Sequence, residues 1–238
     1  MWLNHLFGPA SAAQSKQWAL LLSCAIVSLA ILPAMYLRLF TAPARARASY
    51  PRSSFVVRFL VSVALLHIAT TCFGPFANAY FARLLKLPVQ NIGLVFSVAQ
   101  VAQVIAILLS PIIIARFGLV WGVVVMEAAA GLSLAILAVG PAAVPAALAF
   151  AGFMAFQYMD DPAMDTLLMS RVEPHERSGA SALLFLTIFA SGAATAPVAG
   201  LALTRFGYPA IILAASSLLL LGALLFGLLL RGSERAIS

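Results

Sequence analysis

The sequence has very little charge. Only 9% of its 238 residues are Asp, Glu, Lys or Arg and 63% are hydrophobic, whereas about 25% of a typical soluble domain is charged. This balance excludes an ordinary water-soluble fold and leaves too little polar sequence for a soluble catalytic domain. The alternating strands of about ten residues that build a membrane β-barrel are also absent.

Residues suited to catalysis or cofactor binding are scarce. No Gly-x-Ser-x-Gly motif occurs, and His67 and His175 are not spaced as metal ligands. Neither lysine, Lys16 or Lys86, lies in the last apolar run, where a retinal Schiff base would require one. The acidic string at 160–165 has no second acidic cluster with which to hold a diphosphate through magnesium. We therefore predict no enzyme activity, no metal and no cofactor.

What the sequence does contain is long apolar runs. A helix needs about 20 apolar residues to cross the hydrocarbon of a bilayer, and each run is that long. The predicted fold is an all-α polytopic membrane protein with seven transmembrane helices. The seven runs are residues 17–40, 55–82, 90–115, 118–140, 143–169, 178–203 and 208–230.

The basic residues are distributed unequally between alternate loops. Positively charged loops stay in the cytoplasm, so the richer side predicts a cytoplasmic C-terminus and an external N-terminus in the plasma (inner) membrane. The same distribution accounts for the net charge of +7 without nucleic acid as a partner. The richer side has Arg38, Arg45, Arg47, Arg52, Arg58, Arg116, Arg171, Arg177, Arg231 and Arg235, and the other has Lys16, Arg83, Lys86 and Arg205.

The predicted domains follow from these runs. Residues 1–16 form an external segment, 17–40 a leading transmembrane helix and 41–54 a basic cytoplasmic linker that is rich in Pro and Arg. Residues 55–231 then form a six-helix transmembrane bundle, and 232–238 form a cytoplasmic tail.

An internal repeat lies within the bundle. Arg116-Phe117-Gly118 follows the third run and Arg205-Phe206-Gly207 follows the sixth, with Pro111 and Pro197 upstream of each. Three helices separate the two copies, so equivalent positions lie on opposite faces of the membrane. This pattern predicts two inverted repeats of three helices, as in many secondary transporters, and argues against an unliganded seven-helix receptor.

Two stretches carry a resemblance to a known family. Residues 111–118 (PIIIARFG) resemble the short interior turn after the eighth helix of major facilitator superfamily (MFS) transporters. Residues 171–180 (RVEPHERSGA) resemble the loop between that family's tenth and eleventh helices in its drug-export-like branch. Over about 17–231, the chain resembles the C-terminal half of an MFS transporter preceded by the sixth helix. A complete transporter has twelve helices, and this chain has seven.

The resemblance implies a secondary transporter or half-transporter. Such a protein moves a small molecule by alternating access and is either proton-linked or facilitated. A second six-helix bundle would have to face this one, either from another chain or from a homodimer. The alternative function is a truncated or assembly subunit that transports nothing. The substrate, the coupling ion and the direction of transport are not encoded in any motif.

Polar side chains at membrane depth are costly and point to function. His67, Thr71, Gly74 and Asn78 follow one another at helical spacing in the second run. The stripe predicts a cavity wall in which His67 carries a proton, and the alternative is that these groups only bond a neighbouring helix or their own backbone.

The fifth run carries an acidic stripe. Gln157, Asp161 and Asp165 share one helix face, and Asp160 lies beside them. Adjacent carboxylates in a low-dielectric site cannot both ionise cheaply, so Asp160 and Asp161 are candidates for proton coupling. The alternative places both at a hydrated cytoplasmic mouth where Pro162 breaks the helix. Proton and small molecule are thus the predicted partners besides the bilayer.

Three further sets of residues complete the candidates. Glu127 has no basic partner in its own run, so we expect it to be protonated or paired with another helix in a structural role. Gln100 and Gln103, with Thr187 and Ser191, fit either a cavity wall or helix-helix hydrogen bonds. A cytoplasmic gate is predicted from Arg116, Arg171, Glu173, Glu176 and Arg177.

Overall fold

The computed structural model describes residues 12–29, 31–32, 49–140 and 142–232. The chain divides into two compact units, Met1–Arg47 and Ala48–Ser238. The regular elements of the described residues are all helical, which confirms the all-α prediction. They are α1 (Ala12–Leu29), α2 (Ser54–Thr71), α3 (Ala77–Ala79), α4 (Val89–Val139), α5 (Ala143–Met159), α6 (Asp161–Arg171) and α7 (Arg177–Leu230).

The first unit contains α1, whose described apolar side chains, such as Leu21 and Val27, are exposed. This helix covers part of the predicted leading span at 17–40. Residues 1–11 of the predicted external segment, most of the basic linker and the tail beyond residue 232 lie outside the described residues. The second unit contains α2 to α7 and is called the bundle below.

The first helix of the bundle has a polar start and an interrupted end. The Ser53 hydroxyl caps α2 by accepting a hydrogen bond from the Val56 amide at 3.3 Å. Pro75 lies in a 3₁₀ turn over Gly74–Phe76 and has no N–H to continue the α-helical ladder. After α3, the chain runs through a π-helical turn over Tyr80–Leu84. The apolar span therefore continues to Leu84 with its helical phase changed in the middle.

Helix α4 folds back on itself at Gly118. Its φ of 79° lies in a region that side chains strongly disfavour, and here the two parts of α4 meet. A Cβ placed on Gly122 would be 3.7 Å from the Ile114 Cα, although residues eight apart in a straight helix are separated by about 12 Å. The segments 89–117 and 119–139 are therefore an antiparallel pair.

Helix α7 folds back in the same way at Gly207, where φ is 77°. Before the turn, Gly179 packs against Ser49 and Gly192 lies near Thr71, so this part runs parallel to α2. After the turn, Gly222 lies against Leu66, and the Phe226 ring is 6.1 Å from that of Phe59. The second part of α7 is therefore antiparallel to α2.

Close helix contacts hold the bundle together. The Ser216 hydroxyl on α7 donates to the Gly131 carbonyl on α4 at 2.8 Å, and both residues are buried. At one end, the Tyr80 hydroxyl donates to the Leu137 carbonyl at 3.3 Å, and the Tyr80 ring is 5.5 Å from that of Tyr208. Small residues and short interhelical bonds of this kind stabilise helices in lipid, where apolar burial alone gives little drive for association.

Three segments of the bundle are long and apolar enough to cross a membrane: Ser54–Leu84, Val89–Val139 and Arg177–Leu230. The second and third contain 51 and 54 residues, well beyond the ~20 that one crossing needs. Their turns at Gly118 and Gly207 divide each into two helical stretches of membrane length.

Candidate substrate cavity

A cavity of about 620 Å³ lies among the bundle helices. It brings together side chains that are far apart in the sequence, contributed by α2, α4, α5, α6 and α7. Five of the predicted site residues line it, namely His67, Thr71, Gln157, Asp160 and Asp161. The other polar lining side chains are Thr70, Glu127, Tyr158 and Asp165.

The acidic part of the cavity lies at a break between two helices. Helix α5 ends at Met159, and α6 begins at Asp161 with Pro162 in its first turn. The Asp160 carbonyl accepts hydrogen bonds from the Ala163 and Met164 amides, each at 2.9 Å. These bonds fix the break, and the Asp160 side chain is held in the interior at 1% exposure.

Asp160 pairs with Glu127, which is contributed by the second part of α4. Their side chains are hydrogen-bonded to each other, and Glu127 is only 3% exposed. The Oε2 atom of Glu127 and the Oδ2 atom of Asp160 have no hydrogen-bond partner among the described residues. Two carboxyl groups can hydrogen-bond to each other only when one of them carries a proton.

Glu127 is the cavity residue to which the sequence alone assigned only a structural role. Its pairing with another helix agrees with one of the two expectations for it. Two features of the sequence could have indicated this pairing: Glu127 has no basic residue in its own apolar run, and the next run contains acidic residues. What the sequence did not contain was the relative rotation of α4 and α5, which decides that Glu127 meets Asp160.

The remaining lining residues differ in exposure. His67 and Gln157 are half-buried, whereas Asp161 and Asp165 are exposed. The Thr70 hydroxyl donates to the His67 carbonyl at 3.2 Å, so it bonds its own helix. The cavity thus grades from a buried carboxyl pair to exposed carboxylates.

Aromatic rings form much of the apolar wall. Phe96, Phe150 and Phe153 line the cavity, and the Phe96 and Phe150 ring centroids are 5.0 Å apart. Phe185 and Tyr158 also line it. No lysine or arginine is among the lining residues, so the wall combines carboxyl groups with aromatic faces. Within the described ranges, no group of three His, Cys, Asp or Glu side chains is placed to hold a metal ion.

Five predicted cavity residues do not line this cavity. Asn78 and Gln100 are exposed, and Ser191 is half-buried. The Thr187 hydroxyl donates to the Leu183 carbonyl of its own helix at 2.8 Å. The Oε1 atom of Gln103 is buried and has no hydrogen-bond partner among the described residues.

The predicted gate residues gather at the end of the bundle where α2 begins. The Arg171 guanidinium lies 6.0 Å from the Phe55 ring centroid, and the Arg116 guanidinium 5.7 Å from that of the adjacent Phe117. Arg177 is exposed. The two gate glutamates have other partners: Glu173 pairs with His175 at 3.3 Å, and Glu176 accepts from the Ser49 hydroxyl at 3.4 Å.

Comparison with known proteins gives two findings. A family model of the Major Facilitator Superfamily matches residues 59–238. Two crystal structures of a bacterial homologue of the iron transporter ferroportin, both outward-facing and one with soaked iron, have a similar fold. They superpose with TM-scores of 0.65 and 0.58 at 18% and 20% identity, covering 82% and 76% of this chain. No curated protein matches it.

The chain spans about half the length of these solved structures, 49% of one and 46% of the other. At such low identity, the structural likeness concerns the fold, and it agrees with the family match. That match covers most of the chain, which also has apolar helices long enough to cross a membrane. The chain therefore belongs to the Major Facilitator Superfamily of membrane transporters, and its length fits a C-terminal half.

Proposed function

We propose that this chain is one half of a secondary transporter that moves a small cation in exchange for protons by alternating access. The cavity carries the proposal, because it collects a buried carboxyl pair and further polar groups from separate helices. A second six-helix bundle, from another chain or another copy of this one, supplies the opposite wall. A single bundle has nothing against which to rock.

The proposed architecture is seven transmembrane helices, the last six in two inverted repeats. The turns support it, because Arg116-Phe117-Gly118 and Arg205-Phe206-Gly207 have the same sequence and both glycines have a φ near 80°. The broken spans support it as well. The first span of each repeat is interrupted, at Pro75 and at Asp160, and both interruptions line the cavity. Interrupted helices at equivalent positions are characteristic of transporter binding sites.

Proton coupling is assigned to the Glu127–Asp160 pair, with Asp161 and His67 as the route between it and water. The pair is buried, and a hydrogen bond between two carboxyl groups requires one proton. Loss of that proton would leave two close charges in a low-dielectric site, which is costly unless a cation replaces the proton. This competition couples substrate binding to proton release.

The lining favours a cation that has an apolar body. Four carboxyl groups and no lysine or arginine line the cavity, so an anion is disfavoured. The aromatic rings provide faces for both apolar contact and cation–π attraction. The similar solved structures are of an iron transporter homologue, but no metal-binding group of three is found among the described residues of this chain. An organic cation therefore fits better than a bare divalent ion.

Exposed polar groups support a covering partner. Asn78 and Gln100 belong to apolar spans but are exposed on the bundle surface. Polar groups are costly against lipid, so a second bundle or the water of a shared cavity is the expected neighbour.

The proposal includes a cytoplasmic C-terminus in the plasma (inner) membrane, with the gate residues at the cytoplasmic end. The contacts support this orientation, because they assign the arginines to the same two ends of the bundle as the count of basic residues in alternate loops. Gly179 packs on Ser49, and Arg171 lies over Phe55 at one end, whereas the opposite end contains Arg83 and Arg205 near the Tyr80–Tyr208 contact. Membership of the drug-export-like branch stays a prediction.

The proposal can be tested by labelling a cysteine at position 71, because Thr71 lines the cavity close to the helix interruption at Pro75. In a background with Cys24→Ser and Cys72→Ser, a Thr71→Cys variant is treated with a membrane-impermeant maleimide in right-side-out and in inverted vesicles. Alternating access predicts labelling from both sides. Tetraphenylphosphonium is expected to slow this labelling, whereas tetraphenylborate, an anion of the same shape, is not.

The matched controls are Val98→Cys, which replaces a half-exposed apolar residue outside the cavity, and Glu173→Cys in an exposed loop. The first should react from neither side and the second from one side only. Labelling of Thr71→Cys from a single side under every condition would favour the non-transporting assembly subunit. Protection by the borate anion would contradict the cationic substrate while leaving alternating access intact.

A further inference from the structure

A second cavity, separate from the first, lies where the beginning of α2 meets the end of α7. It has a volume of about 440 Å³. Its wall has a polar part, with Ser54, Arg58 and Arg231, and an apolar part, with Phe55, Leu228 and Leu229. We call this cavity the arginine groove. None of its lining residues lines the substrate cavity.

The groove has a positive charge that no described group neutralises. Arg58 lies on α2 and Arg231 directly follows α7; both are exposed, and neither forms an ion pair with a described residue. No acidic side chain is among the lining residues. Two guanidinium groups in one cavity repel each other unless an anion lies between them, and their planar N–H groups fit the oxygens of a phosphate.

The apolar wall indicates what carries that phosphate. Leu228 and Leu229 line the groove and are still 48% and 39% exposed. They belong to an apolar helix of membrane length, so acyl chains are the expected neighbours of their exposed surfaces. A soluble anion would pair with the arginines but would leave these leucines without a partner. An anion attached to acyl chains satisfies both parts of the wall.

We propose that the arginine groove binds an anionic phospholipid, with its phosphate between Arg58 and Arg231 and an acyl chain along Leu228 and Leu229. Basic pockets between transmembrane helices commonly hold anionic head groups in this way. The bound lipid joins the beginning of α2 to the end of α7, two segments whose helices also contain cavity residues. It therefore stabilises the bundle from a site that takes no part in substrate binding.

The test uses the purified full chain in a neutral detergent. The melting temperature is measured with added phosphatidylglycerol, with phosphatidylcholine, and with inorganic phosphate or glycerol phosphate at the same concentration. Phosphatidylglycerol is expected to raise the melting temperature in a saturable manner, and the other three are not. In Arg58→Gln and Arg231→Gln, the concentration needed for half of the shift should rise about ten-fold or more, because each removes a charge-assisted contact.

Arg205→Gln is the matched control, since Arg205 is an exposed arginine on the same helix but at the other end of the bundle. It should keep the full response to phosphatidylglycerol. A sharper variant is Gly232→Glu, because a side chain there meets nothing within 4 Å. It places a carboxylate at the groove, so it should abolish the lipid response without unfolding the chain, while Gly232→Gln should preserve that response.

The outcomes that overturn the proposal are distinct. An equal shift with phosphatidylcholine would mean general solvation by lipid, and a shift with free phosphate would mean an ion site without a lipid. An equally weakened response in Arg205→Gln would mean that overall charge, and not the groove, attracts the lipid. None of these results bears on substrate transport, which the labelling of Thr71→Cys tests separately.

Discussion

The first half of the bundle, residues 54–139, and the second half, residues 143–230, have the same order of features. Each begins with an apolar span that is interrupted and continues with a long helix that folds back at a glycine. Their chemistry differs, because the first half supplies His67 and Glu127 and the second supplies three aspartates. The two halves thus share the order of their helical segments, but they differ in the number and position of their acidic residues.

Contact between the halves completes the cavity. The carboxyl pair takes Glu127 from the first half and Asp160 from the second. Neither half alone contains both carboxyl groups of the pair. The comparison teaches that the two halves share an order of helical segments, while the polar side chains that line the cavity are not repeated. The predictions below separate these two contributions.

The largest effect is expected at the Glu127–Asp160 contact between the halves. Asp160→Ala leaves Glu127 buried without its partner, which should lower the free energy of unfolding by about 3 kcal/mol, the upper range for an unpaired buried polar group. Thermal or denaturant unfolding in detergent measures this change. Asp165→Ala, at an exposed acid of the same cavity, is the control and should change stability by less than about 0.5 kcal/mol.

Asp160→Asn distinguishes stability from coupling. The amide can still bond to Glu127, so most of the stability should return, but it cannot exchange a proton. Because the Glu127 carboxylate can accept a hydrogen bond from the amide, the pair no longer needs a proton, and proton-coupled uptake should be lost even though the protein folds. Equal destabilisation by Ala and Asn would mean that the pair is a packing feature and would count against its role in coupling.

A smaller effect is expected at the two turns. Gly118→Ala and Gly207→Ala place a side chain where φ is 79° and 77° with an extended ψ, and each should cost about 2 kcal/mol of stability. Equivalent repeats require similar losses at both positions. Gly74→Ala is the control, because a Cβ there meets nothing within 4 Å and its φ is ordinary. Losses of stability that differ several-fold between the two turns would mean that the two halves are not structurally equivalent.

The smallest effect concerns a single hydrogen bond between the halves. Ser216→Ala removes the bond from the Ser216 hydroxyl to the Gly131 carbonyl, and such interhelical bonds in membranes are worth about 0.6 kcal/mol on average. Ser217→Ala is the adjacent control, since that exposed hydroxyl bonds only the Leu213 carbonyl of its own helix. The same unfolding measurement applies, and an equal effect of the two changes would mean that the interhelical bond adds nothing.

Much of the helical layout follows from hydropathy, because apolar length is what a bilayer selects. The runs beginning at 90 and 118 correspond to the two parts of α4, and those beginning at 178 and 208 to the two parts of α7. The glycine in each Arg-Phe-Gly motif also proved to be the position with positive φ. These features are local, so the sequence around each position suffices to predict them.

The cavity was predictable only in part. His67 and Thr71 lie before the Pro75 interruption, where helical spacing still holds, and both line the cavity. Asn78 lies beyond it, where the 3₁₀ turn has changed the phase, and it is exposed. To predict that Glu127 lines the cavity, one would need to know how α4 is rotated relative to α5. Sequence periodicity predicts which residues share a face of one continuous helix. Which faces of two helices contact each other depends on packing over the whole bundle.

The turn at Gly118 has a mechanical consequence. One non-helical residue joins the two parts of α4, so there is no loop to stretch or swing, and Gly122 lies against Ile114 just beyond it. The pair is therefore stiff at that end, and relative sliding of its members would require the turn to unwind. Any large displacement of one part of α4 must therefore carry the other part with it.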